Sequence, residues 1–226
     1  MRYCTEPHTP EAADAVVREQ NDRRLHCKRI EFGIAKVEHL ARNLGYIDIR
    51  EFVELPLSIA TINATMARVA RWDALIVALR ACAGGDPATV AWLASYMFDT
   101  PVQLSTFKPR NAPDEPFWTA TTVQGVRLGP TKPLLALTAN FTFSGAEQFA
   151  YDLRAVKRAK IVGEVTGGGA HACSFHWIND HINLLLPECR PVNSITLSNW
   201  EKVGVAPNVV CSAAEALDVA QRIANH

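Results

Sequence analysis

LLALTANFTFSGAEQFAYDLRAVKRAKIVGEVTGGG, Leu134 to Gly169, is the stretch on which the reading of the fold turns. It opens on a short apolar run, as a buried strand does, and breaks at a polar turn. Phe149, Leu153 and Val156 then fall on one face of a helix over 145–157, at the 3.6-residue period. AKIVGEV is a second apolar run and exits into Gly167, Gly168 and Gly169. Strand, helix and strand in this order form a unit with parallel pairing.

The same grammar extends outward. The run Ala74–Leu79 in DALIVALRACAGGD ends at Gly84 and Gly85, as a buried parallel strand ending in a tight loop does. A helix opens at Pro87, where Val90, Leu93, Ala94 and Met97 recur at helical spacing, and another covers 59–69. LGYIDIREFV reads as an alternating strand after Gly45. SFHWIND and HINLLLP form a hairpin turning near Asn179 and Asp180, and AAEALDVAQRIA closes the chain as a helix. Residues 105–132, rich in Pro, Thr and Asn without a period, read as a long surface excursion. Residues 11–29 read as a helix, so 1–31 is a helical appendage to a core domain over 32–226. The expected class is α/β with a parallel sheet.

Composition narrows the partners. Lys plus Arg and Asp plus Glu balance at 23 each over 226 residues, so no global field draws nucleic acid or an anionic membrane. No run approaches the ~20 apolar residues of a membrane span, and the N-terminal residues lack a leader's apolar segment. The expectation is a soluble cytoplasmic protein. Its six cysteines, which include no C-x-x-C pair, are expected as reduced thiols.

Sites in parallel α/β domains gather at the carboxyl ends of strands, which here means the loops ACAGG, TFSGAE and TGGGAH. Ser144 and Glu147 have the spacing of a capping box. The same turn would present the Ser144 hydroxyl at a helix N-terminus, where N–H groups stabilise an oxyanion. The local residues leave both roles open. Gly145 would let a substrate approach the backbone. The Gly84–Gly85 loop could add a second N–H, and the loop with Gly168 could cradle an anion, although it has no Walker lysine. His171, Cys173, His176 and His181 mix strand parity, so no metal site is expected, and Cys82 reads as a small buried filler.

DALIVALRACAGGDPATVAWLASYMFD, TFSGAEQFAYDLRAVKRAKIVGEVTGGGAH and NWEKVGVAPN together resemble the core domain of the C-terminal processing protease and tricorn-core serine peptidases. The nearest branch includes bacterial relatives of the interphotoreceptor retinoid-binding protein. The resemblance covers about Phe32 to Val210. It implies a crotonase-like core of βα superhelical repeats, with Ser144 as nucleophile and Gly145 and the Gly84–Gly85 loop as the oxyanion hole. Glu201 falls on the assisting acid of the tricorn-like branch.

The departures are specific. The family's D-L-R-x-N-G-G-G loop is ALRACAGG here, with Ala78, Cys82 and Ala83 at the Asp, Asn and first Gly positions. Gly169 stands where processing proteases carry their lysine, and Asn208 replaces a frequent Asp. The histidine of the tricorn-like branch belongs to a segment preceding the region that matches Phe32, and no PDZ-like module is expected. The remaining base candidates are His171, His176 or a histidine of a second subunit, which would make the protein a homo-oligomer. Three functions follow: a diverged serine hydrolase acting on a peptide or small molecule without a cofactor, an enzyme that stabilises an enolate in the same pocket, or an apolar-ligand-binding module.

Overall fold

The computed structural model describes residues 2–3 and 13–224. In chain order the first elements are β1 (Arg2–Tyr3), α1 (Ala13–Arg29), β2 (Ile34–Leu40), β3 (Leu44–Ile49), α2 (Leu55–Val69), β4 (Ala74–Ala78) and α3 (Pro87–Ser95). Next come β5 (Gln103–Pro109), β6 (Glu115–Trp118), β7 (Leu134–Thr138), α4 (Gly145–Ala155) and β8 (Lys160–Gly163). The last are β9 (Ala172–Asn179), β10 (Ile182–Asn193), β11 (Val209–Val210) and α5 (Ala216–Ala224).

One sheet has the order β11-β8-β7-β4-β3-β2, parallel from β3 to β11, with β2 antiparallel at the edge. From β3 onward each new parallel strand is added on the same side. Strand parity divides the core in two. Ile47, Leu75, Val77, Ala136 and Ile161 share a cluster with Met66 of α2, Leu93 of α3 and Phe149 and Leu153 of α4. Tyr46, Ile76, Leu137 and Val162 instead join Ala216 and Ala220 of α5. Both faces of the parallel strands are therefore covered, which is why β4 and β7 are continuous apolar runs.

Two sequence expectations change here. LGYIDI has polar alternation, yet all six residues of β3 are buried, because helices cover both faces of an interior strand. The 105–132 excursion contains the end of β5 and all of β6, which pair with each other and, through β5, with β10. Ser105 pairs with Asn193 across a long sequence separation, a contact that no local periodicity reveals.

The expected 11–29 helix is present as α1, and residues 11–12 lie outside the described ones. α1 is anchored to the core: Arg23 Nη2 lies 2.6 Å from Glu51 Oε1 and 2.7 Å from Glu54 Oε2, and Cys27 is fully buried. The hairpin of β9 and β10 turns at Asp180–His181, with the N–H of His181 and of Ile182 each donating to Asn179 Oδ1 at 2.9 Å.

Candidate active site

The three Gly-rich loops meet at the carboxyl end of the parallel sheet. The Phe143 N–H donates to Cys82 O at 3.1 Å, and the Thr142 hydroxyl donates to Leu79 O at 2.8 Å, joining the loops after β4 and β7. The Gly167 N–H donates to Thr142 O at 3.0 Å, which attaches the loop after β8.

Ser144 is the N-cap of α4 with φ 51 and ψ −121, a left-handed-side conformation that L-residues adopt at a cost. Its N–H donates to Glu147 Oε2 at 2.8 Å, the carboxylate half of the expected capping box. Glu147 does more than cap. Fully buried, it also accepts from the Thr166 hydroxyl and the Gly168 N–H at Oε1 (2.5 and 2.7 Å), and from the Gly169 N–H at Oε2 (2.9 Å). One carboxylate thus fixes the serine turn against the TGGG loop.

Gly84 and Gly85, with φ +106 and +133, face this turn at very short range. A Cβ on Gly84 would lie 2.8 Å from Gly145 N, Phe143 O and Ser144 Cβ, and one on Gly85 would lie 2.1 Å from Phe52 O. Only glycine fits. Among the described residues, the N–H groups of Gly84, Gly85 and Gly145 donate to no protein acceptor. Gly168 differs: its N–H is held by Glu147 and its C=O accepts from Lys202 N–H at 2.8 Å, so it links loops and has no spare donor.

Gly169, which the resemblance aligns with the lysine of processing proteases, lies under the ring of the half-exposed Phe143. A Cβ on Gly169 would sit 2.1 Å from Phe143 Cζ, because the Phe143 ring lies over the Gly167–Gly169 loop. Sequence reading missed both this ring and the wider bonding of Glu147. The local signal was the TGGG run itself, whose missing side chains leave room for Phe143.

Glu201 Oε2 accepts from the N–H groups of Ala170 and His171 at 2.8 and 3.2 Å, and the His171 Nδ1 lies 3.9 Å from the same oxygen. That last distance is an ion-pair contact, too long for a hydrogen bond. The loop that carries Glu201 rests on α4. Asn193 Nδ2 donates to Asp152 Oδ1 at 2.8 Å, Tyr151 Oη and Thr196 Oγ1 are 2.8 Å apart, and the Tyr151 and Trp200 rings are 5.2 Å apart. Asp152 is buried, also accepts from the Ser105 hydroxyl at 2.8 Å, and has its pKa pushed up to about 6 by desolvation. His176 pairs elsewhere, with Glu188 at 2.9 Å. Cys82 is fully buried and its thiol is pushed up to about 12 by desolvation, as befits a filler and not a nucleophile.

A mixed α/β fold with a strained serine at a strand-to-helix turn, facing a glycine loop, is serine-peptidase-like. Residues 43–211 match the model of peptidase family S41, and the chain belongs to that family. Solved structures agree in fold. The photosystem II D1 C-terminal processing protease is similar with a TM-score of 0.63 at 19% identity, over 75% of this chain and 42% of that one. Mature CPAF gives 0.66 at 14%, over 80% and 50%. A lipoprotein from Streptococcus agalactiae gives 0.67 at 14%, over 98% and 91%. The chain therefore spans half or less of the first two proteins.

Proposed function

We propose that the protein is a serine hydrolase acting on peptides or small acyl substrates, slower than its relatives, with a crotonase-like βα core. The carrying observation is the strained Ser144 turn beside three N–H groups, of Gly84, Gly85 and Gly145, that lack protein acceptors. In this reading the Ser144 hydroxyl attacks the acyl carbon and the oxyanion is held by the N–H of Gly145 and of the Gly84–Gly85 loop. Strain in the turn presents the hydroxyl, and Glu147 keeps the turn from relaxing.

His171 is the base candidate, with Glu201 as its orienting partner. In this reading the 3.9 Å gap between them slows the reaction, since a base without a fixed partner loses much of the ~10²–10⁴-fold that general-base help supplies. Gly168 contributes by locking the loop and not as a donor. Exposed Phe141, Phe143 and Val165 in the neighbouring loops favour an apolar group near the scissile bond. No step needs a metal or cofactor.

A fluorophosphonate probe tests this. Labelling of the wild type but not of Ser144→Ala, at some pH between about 6 and 8, supports the reading. Absence of labelling across that range removes it.

A further inference from the structure

A second feature lies beside His171, away from the serine turn. Lys108, Arg110, His171, Glu188, Cys189 and Arg190 help line a cleft of about 400 Å³ beside the paired stretch of β5 and β10. In the ladder Arg190 is registered directly opposite Lys108. Like charges in that position repel, so a sheet with no use for them gains by losing one.

The local acids have closer partners than the two arginines. Lys108 is paired with Asp114, and Glu188 with His176 at 2.9 Å; the Glu188 pKa is lowered by a Ser174 hydrogen bond, by His176 and by the charge of Arg110, which faces it without a direct ion pair. Among the described residues no carboxylate oxygen lies within 4 Å of the Arg110 or Arg190 guanidinium; their side chains are open to solvent at the cleft mouth. In a chain whose net charge is zero, this is a local excess of positive charge in a concave surface. Guanidinium groups match a carboxylate in shape, offering paired N–H donors.

The cleft also has a fixed relation to the serine. The N–H groups of Ser144 and Gly169 share one oxygen of Glu147, and His171 is two residues beyond Gly169. His171, which lines the cleft, is thus tied to the serine turn through one shared carboxylate oxygen and two residues of chain.

We propose that Arg110 and Arg190 form a subsite for a carboxylate of the peptide substrate, set a few residues from the bond that Ser144 attacks. This rests on the peptide-hydrolase reading above. The carboxylate is that of an acidic side chain or of the peptide's C-terminus.

Three fluorescein-labelled hexapeptides of Ala and Leu separate the sources. One ends in Glu with an amidated terminus, one in Gln with a free carboxylate, and one in Gln with an amidated terminus. Their affinities for the full-length Ser144→Ala protein are measured by fluorescence polarisation, where no turnover interferes. One or both charged peptides should bind about tenfold or more tighter than the neutral one, with the difference shrinking at high salt. The charged peptide that gains identifies the source. In Arg110→Ala/Arg190→Ala the preference should vanish with no fall in the melting temperature, both residues being exposed; Arg190→Lys should retain part of it. Equal affinity for all three, no binding of any, or a preference that survives the double substitution overturns the subsite and leaves the arginines as a solvated face. Fluorophosphonate labelling of the protein with both arginines intact is scored separately. Labelling without a charge preference rejects the cleft but keeps the serine reading, and a preference without labelling does the reverse.

Discussion

Ser144 and Gly169 donate to the same oxygen of Glu147, at 2.8 and 2.9 Å, so the candidate nucleophile and the Gly-rich loop are held by one buried carboxylate. Replacing it with an isosteric amide is informative. In Glu147→Gln an NH₂ turned toward Ser144 and Gly169 faces two donors and no acceptor; turned the other way, it faces Gly168 N–H and the Thr166 hydroxyl. Either orientation leaves buried donors unmet, at a cost of about 2–4 kcal/mol. Urea unfolding should show that loss, and fluorophosphonate labelling should slow even at temperatures where the variant stays folded. A change under about 0.5 kcal/mol would mean that the carboxylate is not the link described.

The strain at Ser144 makes a second prediction. With φ 51 and ψ −121 the residue occupies a conformation open to glycine and costly for any residue with a Cβ. Ser144→Ala keeps that cost and loses the hydroxyl, whereas Ser144→Gly loses both. The glycine variant should therefore be the more stable of the two by about 1 kcal/mol, even though glycine usually destabilises relative to alanine. Neither should label. The opposite stability order, measured by denaturant titration, would show that the turn is unstrained.

A lysine at Gly169 should carry a steric cost. A side chain at Gly169 points into the Phe143 ring, 2.1 Å from Cζ for the Cβ alone. Gly169→Lys should destabilise by about 0.5–1.5 kcal/mol, because the half-exposed Phe143 ring must leave its present rotamer. Phe143→Ala made in the same protein should recover most of that, a coupling that a double-mutant cycle reads directly. Additive effects would remove Phe143 as the reason for the glycine.

The parts of this arrangement that could be read in the sequence are those specified by neighbours along the chain. The runs Ala74–Ala78 and Leu134–Thr138 declare buried parallel strands, and the serine turn declares a cap, because each signal fits within one element. The Glu147 bonds to Gly168 and Gly169 span about twenty residues and arise only once β7, α4 and β8 are in place. β5 and β6 escaped for the same reason: β5 is a strand by virtue of β10, which the chain reaches far later, and the prolines at Pro109, Pro113 and Pro116 suggest loop. His171 is close to Glu201 as the sequence order alone could not specify, since Glu201 reaches it by holding the Ala170 and His171 backbone.

Asp152 gives a pH dependence of definite sign. Its carboxyl joins α4 to Ser105 of β5 and Asn193 of β10, both through Oδ1, and burial lifts its pKa from 3.8 to about 6. A folded-state pKa above the unfolded one means that the neutral form is favoured by folding. The contribution is complete below pH 3.8 and is lost as pH rises through about 6. A shift of about two units corresponds to about 3 kcal/mol for this one group. Asp152→Asn keeps an acceptor at the Oδ1 position and cannot ionise, so it should match the wild type near pH 4 and exceed it by up to about that amount above pH 7. Glu54 and Glu215, whose pKa values are lowered by Arg23 and by Ser212 respectively, change both proteins equally and cancel in the difference. Unfolding free energies of the pair, measured across this range, check the sign: a gap that closes as pH rises would place the buried charge on the stabilising side and refute the assignment.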